Sequence, residues 1–348
     1  MADTTDSSLI SDTGTSLAVP AQQKPMKIVI IVQNPFFNLY ETFWKEAKND
    51  PFFDITFVML PLGTPPIYTM EEVAAYYREK GIPYVLGYDE ETRSYLDILT
   101  WKPDLVIYQT PYDGYRTSRA FYSTRIGKHV PISHISYGTV FIEYKGLYEG
   151  LINERPFHRL CWKIFVESEM EADYLNSFIP NVYKSIGYIK CDRFLNYEPE
   201  KDYPEQWNLP REGSFRIVWK PRWVASLGDS TLLVYLFYFL DFVERHPNVD
   251  FVFYSHPLVR RTLTLKKKIS TDKAWDEIEA AFARLPNARI EPDGDFLECV
   301  MTADLYIGDF SSTLAEFYLT GKPIIYTPVE ATFNAQGELM AVFFSIAV

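Results

Sequence analysis

Three consecutive hydroxyl residues stand at the start of a predicted helix near the end of the chain. The segment 303–317 is typical of a short buried strand, a tight turn and a helix. Ser311, Ser312 and Thr313 lie at the first helical turn, where free backbone N–H groups and the positive end of the helix dipole meet. Such a position binds anions, and phosphate is the usual one. The competing interpretation is an N-cap serine, which is favoured there whatever the function.

Other side chains able to bind a phosphate follow the predicted strands of the second half of the chain. Lys220 and Arg222 come after one strand, His256 and Arg260 after the next, and Asp309 after the strand before the hydroxyl turn. Because open α/β sheets bind ligands at the carboxyl ends of their strands, we expect these residues to meet there. A cationic cluster of this kind suits a diphosphate. The alternatives are a solvated helix face for Arg260 and a carbonyl-bound loop histidine for His256.

Glu316 lies one turn into the helix that begins with the hydroxyl residues. Acidic side chains accept ribose hydroxyls in other nucleotide sites, so Glu316 is a candidate for this contact. Compensation of the helix dipole is an equally good account of its position.

Composition limits the classes of protein that the chain can represent. Its 348 residues suggest two domains, and 47% apolar residues permit a sizeable core. A net charge of −12 argues against a general nucleic-acid-binding protein. No 18-residue apolar run and no secretory signal are evident, so we expect a cytoplasmic protein. The three cysteines are widely separated and predict neither a disulfide framework nor a metal site; we expect no cofactor.

Strands alternate with helices along the chain, which predicts parallel, doubly wound α/β domains. We expect a disordered tail over 1–25, a first domain over 26–197, a charged, proline-containing linker over 198–212 and a second domain over 213–348. The predicted strands are 27–32, 54–59, 84–86, 104–108, 132–136, 163–166, 215–219, 250–254, 288–290 and 324–326. The predicted helices are 38–49, 70–80, 231–245, 272–285 and 296–302. The helix over 231–245 is apolar almost all round, which predicts a core helix.

Several motifs, in this order, resemble the CDP-glycerol glycerophosphotransferase family, the teichoic-acid polymerases. They are Trp-Lys-Pro-Arg-Trp at 219–223, Ser-His-Pro at 255–257, Gly-Asp-Phe-Ser-Ser at 308–312 and Lys-Pro-Ile-Ile-Tyr at 322–326, with a further similar segment at 187–195. The resemblance covers roughly residues 131–334. It implies a GT-B-like fold, in which two Rossmann-like domains face each other across a cleft and the second holds the donor nucleotide. It also implies that His256 and the 311–313 turn hold the donor's pyrophosphate.

The activity implied by the resemblance is metal-independent transfer of a glycerol-phosphate or related polyol-phosphate group from a CDP-linked donor to a cell-surface polymer. The partners would be a nucleotide-diphosphate donor and a polymer or lipid-linked acceptor. Contact with the inner face of the membrane is an open alternative, although no strong basic amphipathic helix is present to carry it. Two other functions stay open: a nucleotide-sugar-dependent GT-B glycosyltransferase and a non-catalytic nucleotide-binding protein.

The chain departs from the family at the position of the general base. Where the family has His-Gly-Thr, this chain has Tyr137-Gly138-Thr139, and a tyrosine with a pKa of about 10 is a poor base near neutrality. Two residues are candidates to replace the histidine. His134 lies on the preceding strand, and a buried structural histidine is the equal alternative. Asp113 follows another buried strand, and the alternative there is a turn aspartate before glycine.

Two further departures concern the donor site and the end of the chain. Arg222 stands where the family has a small hydroxyl residue, and an extra cation there suits a different donor. The sequence stops soon after Asn334 with a short apolar segment, so we expect a truncated or shortened second domain without the usual crossover helix. Loss of that helix would loosen domain closure and weaken activity.

Overall fold

The computed structural model describes residues 24–34, 40–63, 68–89, 91–137, 156–195, 197, 207–222, 230–256, 259, 272–291, 297–309 and 311–328. Several predictions fall outside this part of the chain. They are the tail over 1–23, the Gly138-Thr139 pair, Arg260, most of the predicted linker and the segment after Pro328.

The first half of the described chain forms nine strands. They are β1 Met26–Val32, β2 Phe53–Met59, β3 Tyr84–Leu86, β4 Tyr88–Asp89, β5 Ser94–Tyr95, β6 Leu105–Tyr108, β7 Ile132–Ile135, β8 Lys163–Val166 and β9 Tyr183–Ser185. Seven of them make one parallel sheet in the order β3-β2-β1-β6-β7-β8-β9. β4 and β5 pair separately as a short antiparallel hairpin. The last five residues of β1 are all buried, as expected for a β-branched strand that is covered on both faces.

Helices cover both faces of this sheet, and together they form what we call the first lobe. They are α1 Glu41–Ala47, α2 Met70–Glu79, α3 Ser123–Ile126, α4 Pro156–Leu160 and α5 Glu169–Asn176. A further helix, α6 Cys191–Leu195, follows β9 in the segment that leaves this lobe. The start of α2 is fixed by a capping box: the Thr69 hydroxyl accepts from the Glu72 backbone N–H, and the Glu72 carboxylate accepts from the Thr69 backbone N–H. Apolar residues of the strands divide into two clusters, one against each helical layer.

The second lobe contains a five-stranded parallel sheet in which the order of the strands again departs from their order in the chain. Its elements are β10 Phe215–Lys220, α7 Leu232–Arg245, β11 Val249–Tyr254, α8 Asp272–Ala283, β12 Ala288–Glu291, α9 Leu297–Thr302, β13 Leu305–Gly308, α10 Ser312–Tyr318 and β14 Ile324–Tyr326. The strand order is β12-β11-β10-β13-β14. All neighbouring strands are parallel, so their carboxyl ends meet at one edge. Both lobes are therefore doubly wound, Rossmann-like α/β units, and this part of the sequence prediction is confirmed.

Alternate residues of the central strand β10 anchor the two helical layers of the second lobe. Ile217 and Trp219 face the cluster that contains α7 and α8, and Trp219 is fully buried there. Val218 points to the opposite face, where α9 and α10 pack. This is the side-chain alternation of a strand that is covered on both sides.

The helix α7 corrects one expectation from the sequence. Its buried residues are Leu232, Leu236, Phe239 and Val243, which share one face at helical spacing. Val234, Phe237 and Tyr238 point away from the sheet and are 57%, 73% and 59% exposed. The helix is therefore a one-sided surface helix and not a core helix. In the described residues, no helix is long and apolar enough to cross a membrane.

The segment 186–195 connects the first lobe to the second. Ile189 packs against the core of the first lobe, and Phe194, in α6, packs against the core of the second. Trp207, within the predicted linker, is also buried on the second lobe, where its indole N–H donates to the Thr302 hydroxyl at 2.7 Å. Ordered packing of the second lobe thus begins before residue 213; the domain boundaries themselves stay predictions.

Candidate functional site

Asp309 holds together the loops at the carboxyl edge of the second sheet. It comes directly after β13 and is buried. Its Oδ2 accepts hydrogen bonds from the backbone N–H groups of Arg222 at 2.8 Å and Thr231 at 2.9 Å. Its Oδ1 accepts from the hydroxyls of Thr231 and Thr327, the latter at 2.7 Å. Since these partners follow β10, precede α7 and follow β14, a single carboxylate fixes the geometry of this edge.

Gly308 allows β10 and β13 to approach closely at the same edge. It pairs with Lys220 across the two strands. A Cβ atom on Gly308 would lie 2.4 Å from the carbonyl oxygen of Lys220 and 2.9 Å from the ring of Tyr306. No side chain fits at that distance from a backbone oxygen, so glycine is required for this strand pairing.

Lys220 and His256 lie at the ends of the neighbouring strands β10 and β11. Lys220 is buried, and its Nζ lies 4.5 Å from the centre of the Tyr254 ring, a cation–π contact. Burial, together with the nearby charge of Lys220, lowers the pKa of His256 to about 3. The imidazole is therefore neutral near pH 7, and it offers hydrogen bonding in place of the positive charge expected from the sequence.

Arg222 is the second cation that the structure brings to this edge. Its side chain is half-buried, and its backbone is held on both sides. The N–H donates to Asp309, and the carbonyl accepts from the hydroxyl of Ser230 at 2.8 Å. Arg260, the other arginine predicted for the site, lies outside the described residues.

The three hydroxyl residues of the predicted anion site have different surroundings. Ser311 is the N-cap of α10: its Oγ accepts from the backbone N–H of Leu314 and lies 3.3 Å from the hydroxyl of Tyr306. Ser312 is exposed, and Thr313 is buried in the first turn. The cap interpretation thus accounts for Ser311, and Ser312 is the hydroxyl residue that solvent reaches most readily. Contact with a phosphate stays a prediction for all three.

Glu316 joins α10 to the segment that connects the lobes. Its side chain is fully buried. Oε1 accepts a hydrogen bond from the hydroxyl of Tyr188 and forms an ion pair with Nζ of Lys190 at 3.0 Å. Oε2 is buried as well, and no hydrogen-bond partner for it occurs in the described part of the chain. Neither Tyr188 nor Lys190 was predicted as a site residue.

His134 is a buried histidine on the central part of the first sheet. Its Nδ1 lies 2.8 Å from the carbonyl oxygen of Tyr108, which can only accept, so Nδ1 carries the proton. The rings of Tyr137 and Phe157 pack against the imidazole. Burial lowers the pKa of His134 to about 3. Such a group takes up a proton only weakly at neutral pH, so these contacts fit the structural alternative.

Asp113 is bonded through both oxygens within the first lobe. Oδ1 pairs with the guanidinium of Arg116 and accepts from the backbone N–H of Ser123 at 2.9 Å. Oδ2 accepts from the Ser123 hydroxyl at 2.6 Å. The carboxylate is 19% exposed, which makes it the more accessible of the two predicted bases. Which residue acts as base stays a prediction.

The structure therefore brings Lys220, Arg222, His256 and Asp309 to one edge of the second sheet, and the N-cap of α10, Ser311, follows two residues after Asp309. Of the two predicted bases, Asp113 lies in the loop that follows β6, whereas His134 lies within β7 of the first sheet. Sequence reasoning missed Thr231 and Thr327, which complete the Asp309 cluster. Both are threonines at strand or helix ends, a position that turn-forming hydroxyls favour, but nothing local distinguishes them from ordinary capping residues. In the described part of the chain, no group of three His, Cys, Asp or Glu side chains has the geometry of a metal site.

Comparison with known proteins identifies the fold. No protein-family model matches the chain, and no curated protein matches it. Among solved structures, UDP-GlcNAc 2-epimerase from Neisseria meningitidis bound to UDP-GlcNAc aligns with a TM-score of 0.56 and 13% identity over 89% of this chain and 85% of that chain. The S. aureus MnaA–UDP co-structure aligns with a TM-score of 0.55 and 14% identity over 88% and 80%. The wall teichoic acid polymerase TagF aligns with a TM-score of 0.52 and 13% identity over 89% and 72%.

These similarities extend over both lobes, so the chain has the arrangement of two Rossmann-like units that defines the GT-B fold. At this level of identity they establish the architecture alone. The chemistry has to be argued from the residues of this chain.

Proposed function

We propose that the protein is a transferase that binds a nucleoside diphosphate conjugate at the carboxyl edge of the second sheet. The observation that carries the proposal is the convergence of Lys220, Arg222 and His256 around the Asp309 cluster. Lys220 and Arg222 supply positive charge for the phosphoryl groups, and the neutral His256 supplies a hydrogen bond. Open α/β sheets bind ligands at this edge. Ser312, at the exposed tip of α10, and Glu316, one turn further on, would contact the phosphate and the ribose.

The specific reaction that we favour is transfer of glycerol phosphate, or a related polyol phosphate, from a CDP-linked donor to a surface-polymer acceptor. Its support is that the segments resembling the glycerophosphotransferase family come together at one edge. TagF, a wall teichoic acid polymerase, shares the fold. The acceptor oxygen attacks the phosphorus that bears the glycerol and forms a new P–O bond. The bond between the two phosphoryl groups breaks, CMP leaves, and the acceptor proton passes to a base of the first lobe.

In this reaction the second lobe stabilises the leaving nucleotide. Lys220 and Arg222 balance the charge that develops on its phosphate, and the His256 N–H donates to it. Asp113 is the base that the geometry favours over His134, because the Asp113 carboxylate is partly exposed and the His134 imidazole is buried.

A nucleotide-sugar-dependent reaction is the second candidate. Two observations favour it. Tyr137 replaces the family's histidine, and two structures that share the fold, the N. meningitidis epimerase and MnaA, are named as complexes with UDP-GlcNAc and UDP. A nucleotide-binding protein without activity is the third candidate. It would bind a nucleotide without converting it, whereas the other two would release a nucleotide product.

The test is a thermal-shift comparison of CDP-glycerol, UDP-GlcNAc, CDP, UDP and GDP. A ligand at 100 times its Kd stabilises the folded protein by about 2.7 kcal/mol. We expect one cytidine or uridine diphosphate conjugate to stabilise the wild type and His256→Ala to abolish the effect. His129→Ala, which changes an exposed histidine of the first lobe, is the matched control and should retain it.

Stabilisation by no nucleotide would contradict the proposed function, and unchanged stabilisation in His256→Ala would contradict the placement of the site. Release of CMP from CDP-glycerol in the presence of acceptor separates the transferase from a glycosyltransferase. Binding without release of any nucleotide product supports the non-catalytic candidate.

A further inference from the structure

The carboxylate of Glu316 has two oxygens in very different situations. Oε1 is bonded to Tyr188 and Lys190, whereas Oε2 is equally buried and has no partner in the described part of the chain. A buried carboxylate oxygen without a hydrogen bond is destabilising, since it has lost its water without gaining a donor. A buried polar atom of this kind calls for a specific explanation, and an absent group that would complete its hydrogen bonding is one such explanation.

The two groups that hold Oε1 come from the connection between the lobes, not from the second lobe itself. Tyr188 and Lys190 lie between β9 and α6, and Ile189 between them packs on the core of the first lobe. The turn begins at Gly187, whose φ of +84° lies in the region that glycine adopts without strain. Burial and the adjacent carboxylate raise the pKa of the Tyr188 hydroxyl far above its usual range, so it remains a donor at neutral pH.

We propose that Tyr188 and Lys190 are positioning residues of the nucleotide site: they hold one oxygen of Glu316 and leave the other to accept a hydroxyl group of the ligand. This inference rests on the proposed function. It names the ligand as a ribonucleotide, because the ribose of a nucleoside diphosphate carries two adjacent hydroxyl donors. It also makes the connection between the lobes part of the nucleotide site.

The position of Glu316 on α10 fits this assignment. It lies four residues beyond Ser312, which corresponds to about 6 Å along a helix axis. That is the scale of the separation between a phosphoryl group and the ribose hydroxyls of one nucleotide. Because Oε2 is shielded from solvent in this structure, the ligand has to displace the atoms that cover it. Tyr188 and Lys190 keep the carboxylate oriented while this happens.

The experiment measures Kd by calorimetric titration for two matched ligand pairs. The ligands are CDP with 2′,3′-dideoxy-CDP, and UDP with 2′,3′-dideoxy-UDP. In the wild type we expect the ribonucleotide to bind about tenfold more tightly or better, the effect of one hydrogen bond to a charged acceptor. In Lys190→Met and Tyr188→Phe this ratio should fall towards one, while the Kd of the dideoxy ligand stays unchanged.

Lys184→Met is the matched control, since Lys184 is an exposed lysine on β9 six residues earlier. It should keep the wild-type ratio. Tyr188→Phe removes a single hydroxyl, so it tests the inference even if Lys190→Met does not fold.

The outcomes distinguish failure of the proposed nucleotide binding from failure of the positioning role of Tyr188 and Lys190. If no nucleotide binds the wild type, the proposed function fails and this inference fails with it. If the wild type binds both members of a pair equally, or if both variants keep the full preference for ribose, nucleotide binding stands but the positioning role is wrong. A merely structural role would lower the melting temperature of the variants and leave the ratio unchanged.

Discussion

The carboxyl edges of the two sheets are built from similar residue types but use them differently. At the edge of the first sheet, Gln109 accepts from the backbone N–H groups of Gln33 and Asn34, each at 2.8 Å, and its amide donates to the Asn34 carbonyl. Thr110 donates to the side chain of Gln33. Three of these bonds join backbone to side chain and the fourth joins two side chains, so together they lock the loops against each other.

The edge of the second sheet is also locked, but by a single buried carboxylate. Asp309 takes up four hydrogen bonds from loop backbones and hydroxyls. The side chains of Lys220, His256 and Arg222 are not part of that cluster, and they follow or end the neighbouring strands β10 and β11 at the same edge. Buried polar residues therefore occur at both edges and do not by themselves distinguish the proposed ligand side. What distinguishes the second edge is that Lys220, Arg222 and His256 lie beside the Asp309 cluster.

The largest expected effect tests whether the edge of the first sheet is structural. Arg116 is fully buried, pairs with Asp113, donates to the carbonyl of Thr110 at 2.6 Å and lies 4.3 Å from the centre of the Tyr108 ring. Arg116→Met should lower the free energy of unfolding by roughly 3–5 kcal/mol, since it leaves a largely buried carboxylate without its cation. Urea unfolding measures the loss. Arg119→Met, at an exposed position of the same loop, is the control and should stay within about 0.5 kcal/mol.

Nucleotide binding by Arg116→Met is a second measurement that distinguishes the two edges. Stabilisation of Arg116→Met by the nucleotide should match that of the wild type, because the proposed ligand contacts lie in the second lobe. A variant of nearly wild-type stability that no longer binds the nucleotide would reverse the assignment and make the first edge the ligand side.

The next effect concerns Asp309, the buried carboxylate that fixes the loops of the second edge. Asp309→Ala leaves two backbone N–H groups and two threonine hydroxyls buried without their acceptor, so we expect a loss of about 3 kcal/mol in unfolding free energy. We also expect the nucleotide-induced thermal shift to disappear, since Arg222 and the start of α7 are no longer held. Asp241→Ala is the control: this carboxylate pairs with Arg245 on the surface of α7, where ion pairs contribute about 0–1 kcal/mol. Retention of the full nucleotide shift in Asp309→Ala would separate the carboxylate from the ligand site.

Much of the fold was predictable from the sequence because local patterns determine it. The β-branched run of β1, the buried valine and aromatic run of β11 and the helical spacing of α2 identify these elements within about two residues. Most of the elements that were missed are short, although the eight-residue helix α5 was missed as well. β9 has only three residues and forms because it pairs with β8, and the pairing of β4 with β5 also depends on partners that no local pattern specifies.

The candidate site was predictable only in part, and for a similar reason. Residues directly after strands, such as Lys220, His256 and Asp309, could be placed at one edge from the order of elements. Their partners could not: Asp309 and Thr231 are 78 positions apart, and Glu316 and Tyr188 are 128 apart. The neutral state of His256 also depends on burial, which requires the assembled lobe.

The smallest expected effect, taken per pH unit, compares the two buried histidines, one in each lobe. Burial lowers the pKa of both His134 and His256 to about 3, against about 6.5 in the unfolded chain. Between these two values the unfolded chain binds a proton that the folded protein does not. Unfolding free energy should therefore fall as pH decreases from about 6.5 towards 3, by at most about 1.4 kcal/mol per pH unit for each histidine. Above pH 6.5 both imidazoles are neutral in the folded and the unfolded chain, so none of this unfolding free energy is lost.

Replacement of either histidine by glutamine should remove its share of this slope, as measured by urea unfolding at a series of pH values between 4 and 7. His129→Gln, at an exposed position, is the control. The two variants should differ in one respect only: His256→Gln should weaken nucleotide binding at pH 7.5, whereas His134→Gln should not. An unchanged pH slope in His256→Gln would mean that its imidazole titrates alike in the folded and unfolded chain, and hence that the second edge is wetter than the structure indicates. Equal loss of nucleotide binding in both variants would mean that the ligand depends on the edges of both sheets, and not on the second edge alone.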